Sequence, residues 1–225
     1  MNRVFLLSPA NCAGARAKQV LSPTANFPVA AALHSRDGAP LGDLFSFVSG
    51  LYFRGKLTYA RRFAAVTDPA HPVGGGGVHI ITPNAGLRSP DTRVTSRAMR
   101  AFAGVDVHPD NGNYRRPLER SARALLAEIG PQTDVILLGS VASPKYTDVL
   151  LAIFGDRLRF PIDFVGRGDM SRGGLLLRRA AEGQELDYAA VGGAVVHGKR
   201  PPKLVPLSKI AGLQKSRIAE MEGTK

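Results

Sequence analysis

Short apolar runs alternate along this chain with longer stretches in which apolar residues recur three and four positions apart. Val4 to Leu7, Val78 to Thr82 and Asp134 to Leu138 are brief apolar runs bounded by polar or turn residues, and predict buried strands. Arg157 to Phe164 predicts a fourth strand, interrupted by Pro161, and Tyr188 to Val196 a strand or hairpin broken at Gly192-Gly193. Helical spacing marks Leu41 to Gly50 and Leu51 to Val66. In the latter, Leu51, Leu57, Tyr59, Phe63 and Ala64 form an apolar stripe beside Arg54, Lys56, Arg61 and Arg62. Pro117 to Ile129 places Leu118, Ala122, Leu125, Leu126 and Ile129 on one side. Further helices are predicted near Ser96 to Phe102, Thr147 to Phe154 and Met170 to Ala181. Ser8 to Gly14 reads as a loop and Leu21 to Pro40 as an extended excursion rich in proline and turn formers. Pro69 to Gly77, with four consecutive glycines, reads as a surface loop.

This alternation predicts an α/β fold, a mainly parallel mixed sheet flanked by helices, with a basic cleft at the carboxyl edge of the strands. One domain over residues 1–205 is expected, followed by a basic tail or docked helix over 206–225. In open parallel sheets ligands bind beyond the carboxyl ends of the strands, so the loops that follow the strands are where chemistry is sought. Ser8 to Arg16 offers the Ser8 hydroxyl, the Asn11 amide and the Cys12 thiol. Cys12 is a nucleophile if a helix start or cation lowers its pKa, and otherwise a small buried hydrophobe. Asn84 lies in the loop after the second strand. Ser140 and Tyr146 lie in a small-residue loop after the third, where Pro144 suits the first turn of the next helix.

The most informative segment is Gly166-Arg167-Gly168-Asp169-Met170-Ser171-Arg172-Gly173-Gly174. Its glycines permit tight turns and close approach to a ligand. Asp169 or Ser171 can cap the helix that follows. Arg167 and Arg172 bring two guanidinium groups to a helix start, which favours anions. The plainer alternatives are a capped turn with two solvated arginines, or a structural Arg172 that pairs with Asp169 or another buried acid. Ser49 to Lys56 adds cations interleaved with aromatics, a pattern that stacks bases on rings such as Tyr52 and meets phosphates with Arg54 and Lys56, or simply puts Tyr52 and Phe53 in the core.

The formal net charge of +12 and a pI near 10.4 shift the expected partners toward nucleic acid or nucleotide-like ligands. One cysteine excludes an internal disulfide framework, and a reducing cytoplasm is the simplest home. The five histidines show no metal-ligand spacing, so neither metal nor cofactor is expected. No apolar run is long enough to span a membrane, and the oligomeric state is left open.

Several segments together resemble the peroxide-stress YaaA family. Leu6-Leu7-Ser8-Pro9-Ala10 is similar to that family's opening ISPAK, with Asn11 in place of the lysine. Ser49 to Tyr52 is similar to its Ser-Gly-Leu-Tyr segment, Gly86 to Asp91 to its Gly-Leu-x-x-Pro-Asp turn, and Asp134 to Tyr146 to its strand with a Ser and Tyr loop. Arg167 to Arg172 is similar to its RGLMSR. The resemblance implies an α/β fold with a positively charged cleft, DNA association and protection from oxidative stress. Two functions are expected from these readings. One is binding of DNA or a nucleotide, with Arg167, Arg172, Ser171, Arg54 and Lys56 on phosphates. The other is an enzyme acting on a nucleobase or nucleoside. There Ser8, Asn11, Tyr52, Asn84, Ser140 and Tyr146 hold the substrate, and Asp169 or Cys12 carries proton transfer or attack.

Overall fold

The computed structural model describes residues 2–66, 76–195, 198, 199, 201, 202 and 204. The chain opens with β1 (Arg3–Leu7), α1 (Ala15–Leu21), α2 (Pro28–His34), β2 (Ala39–Pro40), α3 (Leu41–Ser49) and α4 (Leu51–Phe63). It continues with β3 (Val78–Thr82), β4 (Gly86–Arg88), β5 (Arg93–Val94), α5 (Ser96–Ala103) and α6 (Gly112–Glu128). The last part holds β6 (Asp134–Leu138), α7 (Pro144–Phe154), β7 (Leu158–Pro161), α8 (Asp169–Glu182) and β8 (Tyr188–Ala190), with short 3-10 turns on either side of β7.

Six strands form one sheet in the order β4-β3-β1-β6-β7-β8. β1 pairs in parallel with both β3 and β6, and β6 with β7, while β4 and β8 close the edges antiparallel. The protein is therefore α/β with a mainly parallel mixed sheet. Alternation along each inner strand sorts its side chains onto two cores. Phe5, Leu7, Val78, Ile80, Ile136 and Leu138 face the layer containing α1 to α5 and α8. Val4, Leu6, Ile81, Val135 and Leu137 face α6 and α7.

The connections after β1 run toward β3, whereas those after β6 run toward β7. The strand order therefore reverses between β1 and β6, and the crevice at their carboxyl ends is a topological switch point. The loops carrying Ser8 and Ser140 leave the sheet there.

Some sequence expectations change. Leu21 to Pro40 is not an extended excursion: it contains α2 and ends in β2, which pairs with β5 in a small second sheet. Proline at its first turn suits α2. α6 begins at Gly112, with the Asn111 side chain accepting from the Asn113 N–H, so Pro117 lies inside the helix. Pro117 has no N–H to offer the carbonyl of Asn113, a residue exposed near the start of the helix. Of the expected strand or hairpin Tyr188 to Val196, the described residues contribute only the three-residue edge strand β8, and Val196 lies outside them. Residues 67–75 of the glycine-rich loop and the 206–225 tail lie outside the described residues.

α4 and α8 cross with backbones in contact. A Cβ on Gly55 would lie 2.6 Å from the carbonyl oxygen of Gly173, and one on Gly173 would lie 2.8 Å from that of Leu51. Only two glycines permit this approach. It sets Lys56, on the buried stripe of α4, beside the start of α8.

Candidate active site

Ser8, the first residue after β1, is buried, and Lys56 is buried more deeply at 1% exposure. Lys56 Nζ lies 2.8 Å from Ser8 Oγ and 2.7 Å from the Ser8 carbonyl oxygen. It also sits 4.6 Å above the Tyr52 ring and 4.7 Å above that of Phe53. Burial lowers the Lys56 pKa to about 7; Asp169 favours the ammonium and Arg172 opposes it. A substantial fraction of this amine is thus neutral at neutral pH.

The Ser8 hydroxyl also hydrogen-bonds the Tyr146 phenol. Tyr146 Oη accepts the backbone N–H of Ser140 at 2.9 Å. Gly139 makes this packing possible, since a Cβ there would lie 2.9 Å from both Ser8 Cβ and Tyr146 Oη. Burial raises the Tyr146 pKa, which keeps the phenol protonated. β1, α4, β6 and α7 therefore each contribute to one hydrogen-bonded row, Lys56–Ser8–Tyr146–Ser140.

This row forms the floor of a cavity of about 790 Å³ at the switch point. Asn11, Cys12 and Ala13 line one side, with Pro83, Phe102 and the Gly104–Val107 stretch beside them, and Asp169 and Met170 at the start of α8 complete the rim. The lining holds two lysines, Lys56 and Lys145, and two aspartates, Asp106 and Asp169, and so no net excess of cations. The protein's excess of positive charge therefore lies elsewhere on its surface.

Of the expected site residues, Ser8, Asn11, Tyr52, Lys56, Ser140, Tyr146, Asp169 and Cys12 all border this cavity. Asn84 opens instead on a separate depression with Arg88 and Arg97, so only Pro83 of its loop reaches the cavity. Arg54 also lies outside, on another depression with Arg61 and Leu177. Lys56, read from the sequence as a phosphate contact, has its head group engaged by Ser8 instead. The clue was available, since Lys56 follows Tyr52 by four positions on the buried face of α4.

The Gly166–Gly174 segment differs from its sequence reading in detail. α8 begins at Asp169 with Gly168 as its cap, and neither Asp169 nor Ser171 makes a side-chain capping bond. Arg172 donates to the carbonyl oxygen of Phe164 from Nε at 3.2 Å and from Nη2 at 3.0 Å, and stacks over the Phe164 ring at 5.3 Å. Its Nη1 is 3.7 Å from Asp169 Oδ1. These contacts tie the start of α8 to the turn before it. Arg167 Nη1 is 3.3 Å from Ser171 Oγ. Gly166 has φ +72° and packs against the Lys199 carbonyl, and Gly173 meets α4, so neither glycine serves a ligand.

Cys12 is 5% exposed, its Sγ donates to the Ala10 carbonyl at 3.5 Å, and burial pushes the thiol up to about 12. This environment favours the thiol over a nucleophilic thiolate. Asp169 is a well-solvated carboxylate on the rim. Sequence reading missed Lys145, Asp106 and Phe102, which lie on the cavity wall. Among the described residues no three or more His, Cys, Asp or Glu side chains gather as a metal site, and no helix is long and apolar enough to cross a membrane. Comparison with family models, with curated proteins and with solved structures finds no match.

Proposed function

We propose that this protein binds a nucleotide, or an unstacked nucleotide at the end of a nucleic acid, in the cavity between the carboxyl ends of β1 and β6. The observation that carries this reading is the convergence of the post-β1 loop, the post-β6 loop and the start of α8 on one cavity of about 790 Å³. Small-molecule sites occupy roughly 300–1,000 Å³. Asn11 supplies donor and acceptor groups suited to a base edge. Tyr52, Phe102 and Tyr146 supply aromatic rings to the lining, and Lys145, in the first turn of α7, supplies a cation for phosphate. The net charge and the resemblance to a DNA-associated family favour the same class of ligand.

A second reading, in which the bound base or nucleoside is also chemically altered, is favoured by the Lys56–Ser8 pair in the cavity floor. In this reading Asp169, which lines the cavity, is the group that would transfer a proton. Titration of the protein with nucleoside monophosphates and with short single-stranded oligonucleotides, at low and moderate salt, tests the first reading. Saturable binding that Asn11→Ala weakens is expected. No binding of either ligand at low salt would refute it. Turnover of the bound nucleoside, followed by chromatography, would favour the second.

A further inference from the structure

We infer that Ser8 is a nucleophile for acyl transfer, with Lys56 as its base and Tyr146 as the donor that holds its hydroxyl, acting on a carboxylic ester or amide. This goes beyond nucleotide binding and does not depend on it. A serine hydroxyl is a weak nucleophile unless an adjacent base takes its proton. Lys56 Nζ lies 2.8 Å from Ser8 Oγ, within the reach a general base requires. Its second contact, 2.7 Å to the Ser8 carbonyl, fixes the amine on the same residue it would deprotonate.

The row has a consistent direction when the amine is neutral. One Lys56 N–H is donated to the Ser8 carbonyl, and the lone pair accepts the Ser8 O–H. Ser8 Oγ accepts the Tyr146 O–H, and Tyr146 Oη accepts the Ser140 N–H at 2.9 Å. Such a chain polarises each member in turn. It also leaves Tyr146 donating to Ser8 Oγ as negative charge develops there. Ser8, at 7% exposure against 1% for Lys56, is the more accessible of the two. The surrounding wall also offers apolar surface to an acyl group, since Phe102, Val105 and Met170 line it.

The step balances without a redox partner. The Ser8 proton moves to Lys56 as the Oγ–C bond forms. The tetrahedral centre collapses by breaking its bond to the leaving oxygen or nitrogen, which takes the proton from Lys56. Water then repeats the sequence: its proton passes to Lys56, its oxygen adds to the acyl carbon, and the C–Oγ bond breaks as Ser8 regains a proton. Ester and water give acid and alcohol.

The test treats the full chain with a fluorophosphonate and, separately, with phenylmethylsulfonyl fluoride, and reads adducts by intact mass and peptide mapping. Neither reagent carries a base, so a failure here is distinct from a failure of nucleotide binding. One adduct on Ser8 is expected, with a labelling rate that rises through neutral pH as Lys56 loses its proton. Ser8→Ala should abolish it. Lys56→Met, similar in shape and uncharged, should slow it by about a hundredfold or more. The pH profile of the unaltered protein needs no variant and stands if Lys56→Met fails to fold. Absence of an adduct with both reagents overturns the inference. So does an adduct that persists in Ser8→Ala, a rate indifferent to pH, or an aldehyde reductively trapped on Lys56 by borohydride.

Discussion

At the scale of single residues, burial decides what each charged or titratable group can do. Arg172 lies in the segment that reads most like an anion site, yet its guanidinium is spent on the Phe164 carbonyl and ring. A hydrogen bond to a charged group contributes roughly 1.5–3 kcal/mol. Arg172→Ala is therefore expected to lower the melting temperature clearly while changing nucleotide affinity little. A thermal melt and a titration on one sample check this. His79 shows the same rule in acid. It is buried on β3, and burial lowers its pKa to about 4. Its folded pKa lies below the unfolded value of about 6.5. Its contribution is therefore complete above that value and is lost as pH falls toward 4. Up to roughly 3 kcal/mol is lost over that window. His79→Gln, which stays neutral, should flatten this part of the acid limb, as urea unfolding at pH 7 and pH 4.5 would show.

At the scale of elements, the crossing of α4 and α8 determines the geometry of the cavity floor. Lys56 rides on one helix, and Asp169 and Arg172 on the other. Their distance is set by Gly55 and Gly173, whose missing Cβ atoms let the backbones touch. Overpacking such a contact costs roughly 1–3 kcal/mol, more than the roughly 1 kcal/mol that alanine gains over glycine in a helix. Gly173→Ala should therefore destabilise the protein and displace Lys56 from Ser8. Gly174→Ala is the internal control. Among the described residues a Cβ there meets only Leu204 at 3.6 Å, an ordinary contact. Its melting temperature should be unchanged or higher. Equal shifts for the two variants would remove the helix crossing as the cause.

At the scale of the whole molecule, the +12 charge and the balanced cavity have to be reconciled. The excess lies outside the cavity, for example on α6, where Arg116, Arg120 and Arg123 are exposed along one face. A longer single strand would gain these contacts and a mononucleotide would not. In the oligonucleotide titration, affinity should fall steeply with salt, since each neutralised phosphate contributes about 0.7 to the logarithmic slope. Replacing the three arginines with glutamine should flatten that slope for oligonucleotides and leave mononucleotide binding intact. A slope unchanged by the substitution would place the phosphate track elsewhere.

The α/β class, the four inner strands and most of the helices follow from the sequence, because a strand buried on both faces must be apolar and a helix on one face must repeat every three to four residues. The gathering of Ser8, Ser140, Tyr146 and Asp169 around one cavity was also legible, since all lie just past strands or at a helix start, where a parallel sheet gathers its loops. Periodicity was silent on α2, whose small residues and proline mimic a loop, and on β4 and β5, which are too short to show alternation. The side-chain contacts at the candidate site were decided only by tertiary structure. In the chain, Lys56 stands among cations and reads as one more contact for phosphate. Burial then deprives its charge of water, and the α4–α8 crossing brings it to a serine 48 positions away. Likewise Arg172 and Gly173 look like a ligand cradle until packing shows each already in use. Local pattern reports which face of an element is apolar, but it carries no record of which two faces will meet.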